Sequence, residues 1–382
     1  MKKALMIASM ASMLDNFNSS NIEILDELGY EITLAANFES EDSNSKEKVN
    51  RFKKSMESKG YRVVQIDFSR KISNIKGQIK SYRQVKKLAK EHFDLVHCHS
   101  PICAAMTRVA FRKNRRKGTK VIYTAHGFHF FAGAPLINWL IYYPIEKVCS
   151  YMTDVLITIN KEDYHRAKRK FHAKETKYIP GVGIDVEKIQ AVQVDRDAKR
   201  RELGIEPDDF LLLSVGELSK RKNHLAVVKA IARLNDAKIK YVICGQGLLK
   251  QQLEKAIENF DIKSQVKLLG FRTDIIELCK IADLFVFPSL QEGLPVALME
   301  AMACGLPCIV SKIRGNVDLI EKGVNGFVFE NKKGKGIEDS IHRVIEDSTI
   351  RHHMQVENEK KMIAYDVKIV REDIKKIYEE TI

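Results

Sequence analysis

Apolar residues come along this chain in two series of short runs. The first series is Lys3–Ser9, Glu31–Ala36, Tyr61–Ile66, Leu95–Cys98, Lys120–Thr124 and Val155–Ile159. The segments between them are long enough for crossover helices. That alternation predicts a parallel, doubly wound sheet over residues 1–180. It lapses at Tyr178–Asp185 (YIPGVGID) and the charged segment Val186–Arg201, which reads as a linker. It restarts at Phe210–Val215 and continues through strands ending at Cys244, Val266–Leu269 and Phe285–Phe287. The expected organisation is α/β, with one domain over 1–185, a second over 186–364, and a helical segment at Tyr365–Ile382.

The most informative stretch is Phe285–Cys308, FVFPSLQEGLPVALMEAMACGLPC. It reads as strand, loop, helix and stop. Pro295 suits the first helical turn, and Gly305 with Pro307 ends the helix. Glu292 falls in the loop and Glu300 within the helix. Gly293 lets backbone approach a ligand, and the free N–H groups of the helix's first turn would face an anion such as phosphate. An acid beside a phosphate site makes sense if it serves another part of the ligand, such as a sugar hydroxyl. Taken alone, the spacing of the two glutamates also fits a strand–helix unit with two solvated carboxylates.

Ligands on doubly wound sheets bind at the carboxyl ends of the strands, so the residues there carry the chemistry. Met10–Asn18 reads as a loop after the first strand. Ser12 and Asp15 are its acceptor-side candidates, against the plainer reading of a surface aspartate. His97 and His99 alternate and point the same way on a strand. They lack a third metal ligand, so structural or pocket roles are expected. Thr124–His129 follows the fifth strand, with Gly127 permitting a tight turn and His126 at the crevice. In the second domain Gly216 precedes Lys220, Arg221 and Lys222, three cations expected to open a helix. A glycine turn followed by cations is a phosphate site in physical terms. Gly245 and Gly247 form a G-x-G after a strand, a weak signal by itself. Phe271 and Arg272 follow another strand. Asp195-Arg196-Asp197 is formally D-x-D, but it lies in the charged linker and is read as coincidence.

Composition narrows the class. A chain of 382 residues with 45% hydrophobic content is globular and too long for one ordinary core. Seven cysteines without a C-x-x-C pair or a histidine cluster suit reduced, buried thiols, not zinc. MKKALMIASMASM looks like a leader but runs straight into a strand pattern, and no run reaches the length of a spanning helix. The net charge of +14 sits almost wholly in residues 1–185, which hold 32 of the 64 Lys/Arg but only 19 of the 50 Asp/Glu. Such asymmetry fits one half facing an anionic membrane, or simply a solvated basic face. No stacking motif points to nucleic acid. The basic run Arg108–Lys117 and the aromatics Phe130, Phe131, Trp139, Tyr142 and Tyr143 are the candidate lipid- or sugar-facing surface, with core packing as the alternative.

PSLQEGLPVALMEAMACGLP resembles the signature of the retaining glycosyltransferases of family 4. The resemblance is strongest over Val215–Phe329 and extends through YTAHGFHF, YYPIEK, ITINKEDY and IPGVGID. It implies the GT-B fold, two Rossmann-like domains facing a central cleft, with the C-terminal helix packing back on the first. It implies transfer of a sugar from a UDP-sugar to a lipid-linked saccharide in bacterial exopolysaccharide or capsule synthesis, at the cytoplasmic side of the membrane. His126, Lys222 and Glu292 would be catalytic. Gly216, Arg221, Gly245, Gly247, Phe271, Arg272, Gly293, Leu294, Pro295, Val296 and Glu300 would bind the donor, Glu300 at its ribose. No metal or other cofactor is implied. Two departures stand out: Glu217 occupies the place of a usual arginine, and the first strand lacks the usual glycine pair. They leave open a non-enzymatic nucleotide-sugar-binding subunit, and the shared fold leaves open a UDP-sugar 2-epimerase.

Overall fold

The computed structural model describes residues 1–39, 43–69, 73–330 and 336–381. The chain divides into two compact units, Met1–Val182 with Lys368–Ile382, and Gly183–Val367. Position 382, the last of the expected C-terminal segment, lies outside the described residues.

The first unit is a seven-stranded sheet. Its strands are β1 (Lys3–Met10), β2 (Glu31–Asn37), β3 (Arg62–Gln65), β4 (Leu95–His99), β5 (Lys120–Ala125), β6 (Val155–Thr158) and β7 (Glu175–Tyr178). The order is β3-β2-β1-β4-β5-β6-β7, all parallel. β1, β4 and β6 are buried almost throughout, because helices cover both faces. β7 was not anticipated. Its sequence, Glu-Thr-Lys-Tyr, is polar because it is the edge of the sheet. The C-terminal helix Val367–Thr381 packs into this unit through Val370, Ile374, Ile377 and Tyr378, all buried. Arg371 ties it to the first helix through Ser20 Oγ (3.1 Å) and Glu27.

The second unit has six parallel strands: β8 (Phe210–Val215), β9 (Ile239–Cys244), β10 (Val266–Gly270), β11 (Leu284–Phe287), β12 (Cys308–Ser311) and β13 (Gly326–Phe329). Their order is β10-β9-β8-β11-β12-β13. In each unit the winding reverses direction beside the first strand, between β1 and β4 and between β8 and β11. Those are the places where adjacent loops diverge and leave a crevice.

The charged segment expected as a linker is instead part of the second unit. It forms the short helices Val186–Ala191 and Arg196–Glu202. Asp195 of the D-x-D caps the second of these by accepting from Ala198 N (2.9 Å), and buried Arg200 donates to Ile281 O (3.1 Å) and Asp283. Alternating charges here are the polar faces and capping residues of packed helices. Among the described residues no helix is long and apolar enough to cross a membrane. The seven cysteines are unpaired, six of them buried.

Candidate functional site

In the second unit the chemistry gathers at the winding reversal. Gly216–Asn223 leaves the end of β8, and Pro288–Pro295 leaves the end of β11, its neighbour. Backbone bonds knit these turns to the next ones. Gly216 N donates to Cys244 O (2.9 Å), Leu218 N to Gln246 O (2.9 Å), and Gly245 N to Gly270 O (2.7 Å). Gly245 and Gly247 are required by this contact. A Cβ on Gly245 would lie 1.9 Å from Gly216 O, and one on Gly247 2.5 Å from Leu218 O. Their demand for glycine is thus met by packing one turn on another.

Lys220, Arg221 and Lys222 do not open a helix, as the sequence led us to expect. They form the turn before the helix His224–Leu234, because Asn223 adopts φ +56° and interrupts the helical path. The turn is fastened to the opposite loop: Leu290 N donates to Arg221 O (2.7 Å) and Asn223 Nδ2 to Pro288 O (3.3 Å). Arg221 Nη1 and Lys222 Nζ thereby converge on Glu292 Oε1, at 2.9 and 2.8 Å. Lys222 Nζ also stands 4.6 Å over the Phe287 ring. Burial lowers the Lys222 ammonium from its usual range, and the fields of Glu292 and then Glu217 oppose that. Glu217 itself is exposed, and the second cation beside Glu292 is Arg221.

The Glu292 loop is held from a third side. Arg314 Nε donates to Glu292 O (3.1 Å), and Gly315, at φ +76°, passes so close that a Cβ there would lie 2.3 Å from Gly293 O. Leu294 is buried, and Val296 half-buried. Pro295 is the N-cap of the helix Val296–Ala303 and not, as expected, within its first turn. That end has no side-chain cap and no acid in its first turn, so its N–H groups are available to an anionic ligand. Glu300 is half-buried on the same helix, and burial raises its carboxyl above the usual range. At the end of β10, Phe271 is 72% exposed, an aromatic face open to a base. Arg272 is already engaged by Asp274 (2.7 Å from Nε) and Glu202 (3.3 Å).

In the first unit, Met10–Asn18 is not a loop. The helix Ala11–Glu27 begins directly after β1, since no glycine is present to turn the chain. Ser12 and Asp15 lie in its first turns, and Asp15 pairs with Lys48 at 3.3 Å. His126 follows β5, half-buried, with its pKa pushed down to about 4 by burial. His99 Nδ1 lies 3.2 Å from His126 Nε2. Behind them, fully buried His97 bonds Tyr378 Oη through Nδ1 (2.7 Å) and Thr124 Oγ1 through Nε2 (2.8 Å). The segment after His126 is held by buried Asp163, which accepts from Phe128 N (2.9 Å) and Asn160 Nδ2 (2.8 Å). A cavity of about 350 Å³ opens at these strand ends, lined by Ser9, Met10, Pro101, Ile102, His129 and Tyr142 among others. Sequence reasoning named His129 and Tyr142 of this lining but not Ser9, Pro101 or Ile102 as pocket residues. The Tyr378 contact spans 281 positions and left no local signal. Of the two readings of the aromatics, the core one holds for most of them: Phe130 and Phe131 are buried, and Trp139, Tyr142 and Tyr143 are partly buried against the cluster that contains Phe130.

Among the described residues no three His, Cys, Asp or Glu side chains form a metal-ligand group.

Comparison with known proteins puts this geometry in a family. The chain is 40% identical to the putative glycosyltransferase EpsD of Bacillus subtilis over 65% of this chain and 67% of that one. It is 32% identical to an Escherichia coli UDP-Gal:alpha-D-GlcNAc-diphosphoundecaprenol alpha-1,3-galactosyltransferase, over 74% of each. Its fold matches Anabaena HepE, crystallised in complex with UDP, with a TM-score of 0.78 at 20% identity, across 99% of this chain and 100% of that one. It also matches WaaG, a glycosyltransferase involved in lipopolysaccharide biosynthesis, with a TM-score of 0.71 at 17% identity over 98% and 99% of the two chains. Residues 22–188 match the family description Glycosyltransferase Family 4, and residues 195–362 match Glycosyl transferases group 1. The two strand-end crevices and their charged cluster therefore belong to a GT-B glycosyltransferase, and the chain is a member of glycosyltransferase family 4.

Proposed function

We propose that this enzyme transfers a sugar, with retention, from a UDP-sugar to a saccharide carried on a polyprenyl diphosphate, in the assembly of a bacterial surface polysaccharide. The second unit takes the donor and the first the acceptor. The Escherichia coli relative is named for such a donor and such an acceptor, and the residues fit them. The observation that carries the reading is the convergence of Lys222 and Arg221 on Glu292 at the open N-terminus of Val296–Ala303.

When the sugar–phosphate bond breaks, negative charge grows on the leaving diphosphate. Lys222, Arg221 and the helix N–H groups neutralise it from a fixed, partly dry position. These cations do the work that a divalent ion does elsewhere, so the reaction is proposed to need no metal. Glu292 keeps the two cations charged and aimed, and its second oxygen is left to accept from sugar hydroxyls. Glu300 takes the ribose hydroxyls and Phe271 the base. His126, neutral in the working pH range, serves the sugar ring as its positive charge develops. The site of action is the cytoplasmic face of the membrane.

The test measures UDP release from a panel of UDP-sugars, with and without bacterial lipid-linked acceptor, for wild type and Glu292→Ala. Acceptor-stimulated release from one donor, lost in the variant, is expected. Binding of UDP without release from any donor–acceptor pair would overturn the reading.

A further inference from the structure

The helix Leu136–Ser150 of the first unit is built the wrong way round for a water-facing helix. Leu136, Ile137, Leu140, Ile141, Ile145 and Val148 are exposed, Leu136 at 81%, Leu140 at 73% and Val148 at 61%. At 100° per residue these positions fill one arc of about half the circumference, with Pro144 inside it. Lys147, half-buried, falls inside this arc, and the rest of the polar content faces inward. The helix's one acid, Glu146, is buried in an ion pair with Arg108 (2.7 Å) and accepts from Tyr123 Oη (3.1 Å). Trp139, Tyr142 and Tyr143, on the inner side, satisfy the core. Nothing in the packing of this unit therefore requires the outer apolar residues.

The charges around the stripe identify what covers it. On one neighbouring helix, Pro101–Arg115, the last turn and its exit carry exposed Arg112, Lys113, Arg116 and Lys117. Arg115 fastens that end to Tyr151 O (3.0 Å), at the close of the apolar helix. On the other side the helix Lys161–Lys170 ends in exposed Lys168, Arg169 and Lys170, and Phe171 then packs on Tyr143 at 5.7 Å. An apolar stripe between two cationic rims, with no acid exposed on the helix, complements a surface with anionic headgroups over hydrocarbon. A protein partner of the same shape would need acidic rims, and a second copy of this face would set cation against cation. Pro144 agrees with shallow, in-plane placement. It leaves the Leu140 carbonyl without its helical partner, tolerable only where headgroups or water reach it.

We infer that the helix Leu136–Ser150 lies in the plane of an anionic bilayer, with Leu136, Leu140, Ile141 and Val148 inserted among the acyl chains and the two basic helix ends on the headgroups. This rests on the proposed lipid-linked acceptor for its purpose, though not for its physics. Tyr142, on the opposite side of the helix, lines the 350 Å³ cavity. The helix thus separates the hydrocarbon that would hold a polyprenyl tail from a pocket of mixed lining that would receive its head.

The experiment is sedimentation of the full chain with vesicles of phosphatidylcholine, and of phosphatidylcholine with phosphatidylglycerol, at low and high salt. Leu140→Glu/Val148→Glu is compared with wild type, and circular dichroism with calorimetric unfolding of the full chain checks that the first unit of the variant is folded. We expect wild type to pellet with the anionic vesicles, less so at high salt. The variant should lose about tenfold or more in apparent vesicle affinity while its UDP affinity is unchanged. A Lys113→Gln/Arg116→Gln/Lys117→Gln variant should weaken binding and flatten its salt dependence. Three results would overturn the inference: wild type that stays in solution with both vesicles, a Leu140→Glu/Val148→Glu protein that pellets like wild type, or a wild-type dimer which those substitutions split. None depends on turnover. A protein that binds vesicles but transfers no sugar would sink the acceptor reading alone.

Discussion

Lys222 is held between two opposed demands: burial disfavours its charge, and Glu292 at 2.8 Å restores it. That balance suits a cation that must meet a diphosphate without being so well solvated by water that it gains nothing. Lys222→Ala should lower kcat by about 100-fold, the usual loss for one fixed transition-state contact. Its fold should survive, since the site is at a strand-end turn. Steady-state kinetics on the acceptor-stimulated reaction would read this, and an unchanged kcat would remove Lys222 from the chemistry. The histidines give a pH prediction. Burial holds His97 at about 3 and His126 at about 4, against 6.5 for a free imidazole. Both are neutral in the folded chain at pH 7. Below pH 6.5 the unfolded chain takes up protons that the folded chain refuses, so their contribution is full above that pH and is lost as pH falls towards 4 and 3. Each should remove roughly 1.4 kcal/mol per pH unit in that window. Urea unfolding followed between pH 7 and 4.5 should show the decline, and His97→Asn should flatten its slope. A slope unaltered by that substitution would mean His97 is not buried neutral.

Among the elements, the strand-end turns are where the fold tolerates least. Gly245 and Gly315 touch backbone across a turn, so a methyl group has no flexible atom to push aside. Gly245→Ala should cost about 3 kcal/mol or more and weaken UDP binding together with stability. Gly133, whose Cβ would meet nothing within 4 Å, is the contrasting site, but its φ of +86° still carries the ordinary strain of about 1 kcal/mol. Differential scanning calorimetry of both variants tests the ordering, and a Gly245→Ala protein as stable as Gly133→Ala would refute the interlock. These elements also show what a sequence can disclose. Runs such as Lys3–Met10 and Phe210–Val215 are legible because a strand buried on both faces must be apolar along its length. The loop–helix unit at Glu292 is legible because proline, glycine and acid are each confined to one local role. β7 was not, since an edge strand need not be apolar, and neither was the direct entry from β1 into a helix at Ala11. The outward stripe on Leu136–Ser150 was not legible for a related reason. Aromatic and aliphatic residues look alike as a hydrophobic run, and only packing decides that Trp139 and Tyr143 go inward while Leu140 stays out.

For the whole molecule, the path of the chain makes the two units unequal. The second, Gly183–Val367, is continuous in sequence; the first is completed only by Lys368–Ile382. Where the chain enters and leaves the second unit, its two ends are clipped together: Ile184 N donates to Tyr365 O (3.0 Å), Val367 N to Ile184 O (2.8 Å), and Val186 N to Asp366 (3.2 Å). The lysine–arginine–glutamate cluster and the interlocked glycine turns all lie inside that closed segment. A fragment of residues 183–367 should therefore fold alone, unfold cooperatively, and bind UDP within about threefold of the full chain. A fragment of residues 1–182 lacks the helix that buries Ile374 and Tyr378 and bonds His97, so a large apolar face and a buried imidazole lose their cover. It should be molten or aggregated, and adding back a peptide of residues 368–382 should restore some order. Circular dichroism and calorimetry on the two fragments decide the matter. If the 183–367 fragment failed to bind UDP while remaining folded, the donor site would need residues from the first unit, and the assignment of donor binding to the second unit alone would fall. If the 1–182 fragment folded as well as the full chain, the C-terminal helix would be an accessory and the Tyr378–His97 bond would have no structural weight.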